Sequence, residues 1–124
     1  MAIEIKLQVN SKAIQDRLEN LFDEKTMLEL HNLLAKMCDP YVPFLEGPLS
    51  QSGLAHVTSE GVTYGGDSVP YARYQYYGTE FNHTKDYHPK ATAMWDKAML
   101  QEKEDEFKQQ VTDILKRRTK ELYG

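Results

Sequence analysis

Apolar and polar residues alternate at the start of the chain. The apolar positions are Ile3, Ile5, Leu7 and Val9, and the polar positions between them are Glu4, Lys6 and Gln8. A period of two with β-branched residues predicts a half-buried strand over residues 3–9. Asn10 and Ser11 follow, and both are favourable residues for capping the N-terminus of a helix.

The spacing of apolar residues changes from two to that of a helix between Lys12 and Cys38. The polar stretch "DEKT" (23–26) divides this segment, and Asp23 is a suitable N-cap. We therefore expect either one long helix or two helices with a break near Asp23. Pro40 and Pro43 predict the end of the helical region, because proline disrupts a helix interior.

The stretch "DPYVPFLEGPLSQSG" (39–53) has three prolines and two glycines, and its apolar residues indicate an ordered loop. Two short β-prone runs follow, at 54–59 and 62–64. They flank "SEG", which predicts a hairpin with Gly61 at a position that needs a positive φ.

Residues 92–122 contain neither proline nor glycine, and their apolar residues follow helical spacing, interrupted by "QEKEDE" (101–106). A helix of about 30 residues is about 45 Å long, whereas a domain of this size is about 28 Å across. Part of the helix should therefore protrude or pack against another copy.

The predicted fold class is α+β, with a single domain over 1–124. A small antiparallel sheet is expected to pack against an N-terminal helical region and a long C-terminal helix.

Composition narrows the class of protein. The chain is 40% hydrophobic and 27% charged, which is typical of a soluble globular protein. Its net charge of -4 argues against a protein that grips DNA along its whole surface, since phosphate contacts need clustered cations. No apolar run is long enough to span a bilayer, and the start of the chain does not resemble a signal peptide, so we expect a cytosolic origin and no membrane partner. The single cysteine, Cys38, is expected to be a buried helix thiol.

Four of the eight tyrosines, Tyr71, Tyr74, Tyr76 and Tyr77, lie within seven residues and are followed by Gly78. The stretch "PYARYQYYG" predicts a short helix that ends at Gly78 as a C′ glycine. Helical spacing places Tyr71, Tyr74 and Tyr77, or Tyr74 and Tyr77 with Phe81, on one face, which should cap the core. It leaves Tyr76 as the candidate for an exposed contact. Closure of a small core explains the cluster equally well. The candidate interaction residues are Tyr74, Tyr76, Tyr77, Phe81 and His83.

The residue types that carry catalysis or bind metals occur here without the spacing that either function requires. His83, Asp86 and His88 could ligate zinc or iron, but their spacing matches no compact motif. Ser50 and Ser52 lie near His56 in the sequence, but not in the Gly-x-Ser-x-Gly pattern of a nucleophile elbow. We therefore predict no catalytic residue, no cofactor and no metal.

Nucleic-acid recognition through the tyrosines is also disfavoured. Rings that stack on bases are normally interleaved with cations, and only Arg73 lies among the tyrosines. The basic stretch "KRRTK" (116–120) is expected at a helix C-terminus, where cations complement the helix dipole. No sequence-specific nucleic-acid binding is predicted.

The order of these segments resembles that of small head–tail connector proteins of tailed phages and prophages, which are minor capsid or tail-completion proteins. The resemblance rests on "PYVPFLEGPLSQSG", the hairpin after it, "VPYARYQYYGT" and "HPKATAMWDKAM", and it covers roughly residues 35–100. It implies a small antiparallel sheet packed against helices and a ring of copies in the virion neck, between portal and tail, around the DNA channel. It further implies assembly in the bacterial cytoplasm, contacts with other neck, portal or tail proteins, and no catalysed reaction.

Two alternatives from other classes remain open. One is a protein-binding module that uses the Tyr71–Tyr77 patch. The other is a small enzyme that uses His83 and His88 as acid and base.

Overall fold

The computed structural model describes residues 2–7, 21–43, 48–66, 71–78 and 90–123. The strand predicted over 3–9 ends at Ile5, because residues 6 and 7 are described and are not part of it. Residues 8 and 9, the predicted caps at Asn10 and Ser11 and the predicted helix over 12–20 lie outside the described residues. The elements in chain order are β1 (Ile3–Ile5), α1 (Glu24–Cys38), a 3₁₀ turn (Asp39–Tyr41), α2 (Pro48–Ala55), β2 (Val57–Thr58), β3 (Gly61–Tyr64), α3 (Ala72–Tyr77) and α4 (Trp95–Tyr123). Among the helices so described, none combines the length and apolar character needed to cross a bilayer.

The three strands form one antiparallel sheet in the order β1-β3-β2. Ile3 lies opposite Tyr64 and Ile5 lies opposite Val62, and all four side chains are buried. Glu4, between the two isoleucines, faces solvent, as period-two alternation requires. The sheet packs against helices that include the long C-terminal one, so the predicted α+β class is confirmed.

The predicted hairpin exists, but Gly61 serves a different purpose in it. Gly61 pairs with Thr58 inside the hairpin, and the glycines with positive φ are Gly65 and Gly66. A Cβ on Gly61 would lie 2.8 Å from the carbonyl oxygen of Ile5 on β1. Gly61 is therefore suited to the close approach of two strands and not to a left-handed turn.

The predicted break at Asp23 is confirmed as the start of α1. The Asp23 carboxylate accepts a hydrogen bond from the backbone N–H of Thr26 at 2.8 Å, which satisfies one of the free donors at the helix N-terminus. The helix ends at Cys38, and Pro40 lies in the 3₁₀ turn that follows.

His31 on α1 connects the helix to the sheet. Its ring is buried, and its Nε2 accepts a hydrogen bond from the backbone N–H of Leu7 at 2.9 Å. Burial lowers the pKa of His31, which favours the neutral ring that this acceptor role requires.

Helix α2 (Pro48–Ala55) occupies the end of the predicted loop over 39–53 and the start of the β-prone run predicted over 54–59. Pro48 occupies its first position, where a missing N–H costs nothing, and Leu49 is almost fully buried. Gly53 lies against the ring of Tyr64 on β3. The segment is rich in glycine and serine, which are poor helix formers, so tertiary packing stabilises a helix that propensity alone disfavours.

The long C-terminal helix is confirmed, but its predicted overhang is not. Helix α4 packs along α1, and Phe107 and Arg118 in its second half are both buried. The backbone leaves helical geometry at Lys103 (φ −126°, ψ 30°), inside the polar stretch that interrupts the apolar face. The resulting kink changes the direction of the helix, and its second half covers α1.

Arg118 fastens α4 to the N-terminus of α1. Its Nε donates to the Thr26 hydroxyl at 2.9 Å, and its Nη2 donates to the Asp23 carboxylate at 3.0 Å. Its Nη1 donates to Glu121 at 2.6 Å. The side chain is only 5% exposed, so its charge is paired while buried, as a buried charge must be.

We expect Asp23→Ala to lower the free energy of unfolding at neutral pH by about 1 kcal/mol, through the loss of the helix cap. The backbone N–H of Thr26, then its hydroxyl and then Arg118 hold the pKa of Asp23 below its ordinary value. This stabilisation is therefore present above the unfolded-state pKa of about 3.9 and is lost as the pH falls through the folded-state pKa. Urea unfolding at several pH values measures it.

Asp105→Ala is the matched control, because Asp105 is an exposed carboxylate on α4. Its effect on stability should be small. An Asp23→Ala difference that stays constant from neutral pH down to about pH 2 would contradict the assignment.

Candidate interaction site

Helix α3 turns Tyr76 towards the core. The Tyr76 side chain is 7% exposed, and its ring meets the edge of Trp95 at 4.8 Å between centroids. Its hydroxyl donates to the carboxylate of Asp96 at 2.6 Å. Burial, together with that carboxylate, raises the pKa of Tyr76. The prediction that Tyr76 is the exposed tyrosine is wrong, because Ala72 and Tyr76, four residues apart, share the face that packs inward.

Tyr77 is the exposed member of the tyrosine cluster. Its side chain is 54% exposed, and its ring stands edge-on to Tyr76 at 5.0 Å. The guanidinium of Arg73 lies 5.8 Å from the centre of the Tyr77 ring, within the range of a cation–π interaction. The prediction that Tyr77 faces the core is therefore also wrong. The side chain of Tyr74 lies outside the described residues, as do Phe81, His83 and His88.

An open cleft of about 440 Å³ lies between α3 and the outer edge of the sheet. Residues 2–6 form one wall, and Arg73, Tyr76, Tyr77 and Asp96 form the rest of the lining. Sequence reasoning missed Asp96. The only available signal was its place directly after Trp95, at the start of the long helix. The cleft brings an exposed aromatic ring, a cation and a strand edge together, which are features of a protein contact surface.

Gly78 follows the last residue of α3, as predicted, but it does not form a left-handed cap. Its backbone has φ −81° and ψ 69°, which lies outside the left-handed region. The helix ends there without the backbone geometry that makes glycine necessary.

The candidate nucleophiles have structural hydrogen bonds. The Ser52 hydroxyl donates to the carbonyl of Leu49 at 2.7 Å and accepts from the N–H of Gly65 at 3.0 Å. The Nδ1 of His56 lies 2.7 Å from the Ser52 carbonyl oxygen, not from its hydroxyl. The Ser50 hydroxyl donates to Asp39.

Cys38 is buried, as predicted, and burial raises the pKa of its thiol, which disfavours the reactive thiolate. Across the described ranges, no three histidine, cysteine, aspartate or glutamate side chains form a group that could hold a metal ion. All three predicted metal-ligand candidates, His83, Asp86 and His88, lie outside those ranges.

A second cleft of about 340 Å³ lies where the chain enters α4. The amine of Lys90 pairs with Glu102 and lies 5.7 Å from the centre of the Tyr41 ring. Tyr41 is buried, and its backbone carbonyl accepts from the N–H of Thr92 at 2.9 Å. These contacts fasten the segment before α4 to the 3₁₀ turn.

The described residues thus define an α+β fold with an unpaired sheet edge beside a cleft that contains an exposed aromatic ring. A family model described as minor capsid protein matches residues 5–114. The chain therefore belongs to this minor capsid protein family of phage structural proteins, which confirms the resemblance to phage minor capsid proteins. Searches of curated proteins and of solved structures found no match.

Proposed function

We propose that the protein is a head–tail connector component, a minor capsid or tail-completion protein that forms a ring around the DNA channel in the virion neck. The observation that carries this proposal is the match to the minor capsid protein family over residues 5–114. Membership of that family makes the chain a structural component of a phage virion, and the neck position and the ring are the proposed refinement.

Charge supports a place beside DNA without tight binding. The net charge of -4 disfavours retention of a phosphate backbone.

A ring requires a heterologous contact, in which two different surfaces of the same chain meet. A stable contact of this kind buries on the order of 1,000 Å² or more.

We propose that the chain catalyses no reaction and uses no cofactor, and that its partners are further copies and other neck, portal or tail proteins. It would assemble in the bacterial cytoplasm. Tyr74, Tyr77, Phe81 and His83 stay proposed as interaction residues. Tyr76 was predicted with them, but it is buried, so its proposed contribution is to support the ring of Tyr77.

A phage that lacks this chain tests the proposal. We expect DNA-filled heads and free tails that do not join, because the missing component lies between them. Electron microscopy of the lysate shows the particles, and infectivity should return when purified protein is added to the extract.

A parallel lysate in which a tail-fibre protein is missing provides the control, since its heads and tails should still join. Complete, infectious particles without this chain would contradict a neck role. Empty or misshapen heads would instead indicate a function earlier in head assembly.

A further inference from the structure

Strand β1 leaves one edge of the sheet unpaired within the described part of the chain. The N–H of Thr63 on β3 points to β2, where it donates to the carbonyl of His56 at 3.1 Å. Backbone groups alternate in direction along an antiparallel strand, so Val62 and Tyr64 must point the other way, towards Ile5 and Ile3. The N–H and C=O of Glu4 therefore point outward, away from the sheet.

Such an edge is a template for another strand, and proteins commonly block it with charged side chains, a proline, a bulge or a covering element. The described residues of this edge include neither a proline nor a bulge, and the two charges they carry are of opposite sign. The two charges are Glu4 within β1 and Lys6 directly after its last residue. Their charged groups lie 3.2 Å apart, and their side chains are 44% and 52% exposed. The edge also borders the cleft that contains the exposed ring of Tyr77.

We propose that a second copy of this chain docks on this edge, with the two β1 strands antiparallel and Glu4 opposite the partner's Lys6. The choice of occupant and of register follows from charge. Three registers keep the outward backbone groups face to face. They place Glu4 opposite the partner's Glu4, Lys6 opposite the partner's Lys6, or Glu4 opposite the partner's Lys6. Only the last places unlike charges opposite each other, and like charges in directly opposed positions are destabilising.

The proposed register pairs the outward backbone groups of Glu4 and Lys6. Glu4 and the partner's Lys6 exchange backbone hydrogen bonds, and the two-fold axis repeats that pair. Ile5 lies opposite the partner's Ile5 on the buried face. The sheet becomes continuous across the two copies, and the second copy covers the cleft beside Tyr77.

This contact is isologous, so it closes with two copies. It is distinct from the head-to-tail contact that a ring requires, and it does not depend on the proposed function.

Charge reversal tests the pairing directly. The Glu4→Lys chain carries two cations on the edge, and the Lys6→Glu chain carries two carboxylates. Each alone should dimerise at least about tenfold more weakly than the wild type, because both cross-strand pairs become repulsive. An equimolar mixture of the two should form heterodimers, since every opposed pair is then unlike. Analytical ultracentrifugation measures the dimerisation, and native mass spectrometry identifies the mixed species.

The double variant Glu4→Lys/Lys6→Glu is the matched control and should dimerise like the wild type. Circular dichroism should show that all four chains stay folded, because both side chains are exposed. Added salt should narrow the differences between them. A wild-type chain that is monomeric up to about 1 mM would overturn the proposal, as would single variants that dimerise as strongly as the wild type.

Discussion

Trp95→Ala is expected to lower the free energy of unfolding by about 3–5 kcal/mol, which is a large part of the 5–15 kcal/mol typical of a whole protein. Trp95 is fully buried at the first position of α4. Its ring meets the rings of Tyr64 and Tyr76 edge-on, at 5.2 and 4.8 Å between centroids. Removing it would leave a cavity between the sheet, α3 and α4. Guanidinium chloride unfolding measures the loss.

Two further variants make this result specific. Tyr77→Ala removes an exposed aromatic ring nearby and should cost well under half as much. Trp95→Phe keeps a ring in place. It also removes an Nε1–H that is buried without a hydrogen-bond partner in the described part of the structure, and such a donor is costly to bury. Trp95→Phe should therefore lie between the wild type and Trp95→Ala. Equal losses for Trp95→Ala and Tyr77→Ala would contradict the expected difference between a buried and an exposed ring.

Gly53→Ala is expected to destabilise the protein by about 3 kcal/mol or more, the upper end of the usual effect of overpacking. A Cβ at this position of α2 would lie 2.0 Å from Cε1 of Tyr64. The Tyr64 ring is itself buried against Trp95, so it has little room to move aside. Thermal and denaturant unfolding both measure the change.

A second substitution separates the clash from other effects of the mutation. In a Tyr64→Val background the opposing ring is absent, and Gly53→Ala should be neutral or should stabilise α2 by up to about 1 kcal/mol, since alanine is the better helix former. Leu54→Ala, at the exposed next position of the same helix, should cost little in either background. A Gly53→Ala loss that is the same with and without the Tyr64 ring would rule out the clash as its cause.

Elements with a clear periodicity were predictable from the sequence. The alternation around Ile3 and Ile5, the cap at Asp23 and the long apolar stripe of α4 each depend on local chemistry, and the structure confirms all three. Helix α2 could not be predicted in this way. Its sequence favours a loop, and the helix is stabilised by packing, since Leu49 lies in the buried core and Gly53 lies against the ring of Tyr64.

The orientation of the tyrosine cluster could not be predicted from the sequence either, because it depends on contacts with other elements. Helical spacing relates the tyrosines to one another, but it does not say which face of a six-residue helix turns inward. Trp95 and Asp96 determine which face turns inward, because the Tyr76 hydroxyl donates to the Asp96 carboxylate and the Tyr76 ring packs against the indole of Trp95. If the helix were turned about its axis by one residue, Tyr77 would face the core and Tyr76 would face solvent.

The position of Arg118 also bears on the order in which the chain can fold. Its partners Thr26 and Asp23 precede it by 92 and 95 residues, and contacts over such separations form late because the loop between them must first close. During synthesis, the first turn of α1 must leave the ribosome long before Arg118 does. An emerging chain therefore carries α1 with its N-terminal turn incompletely paired, and the arrival of Arg118 completes the native packing of the two helices.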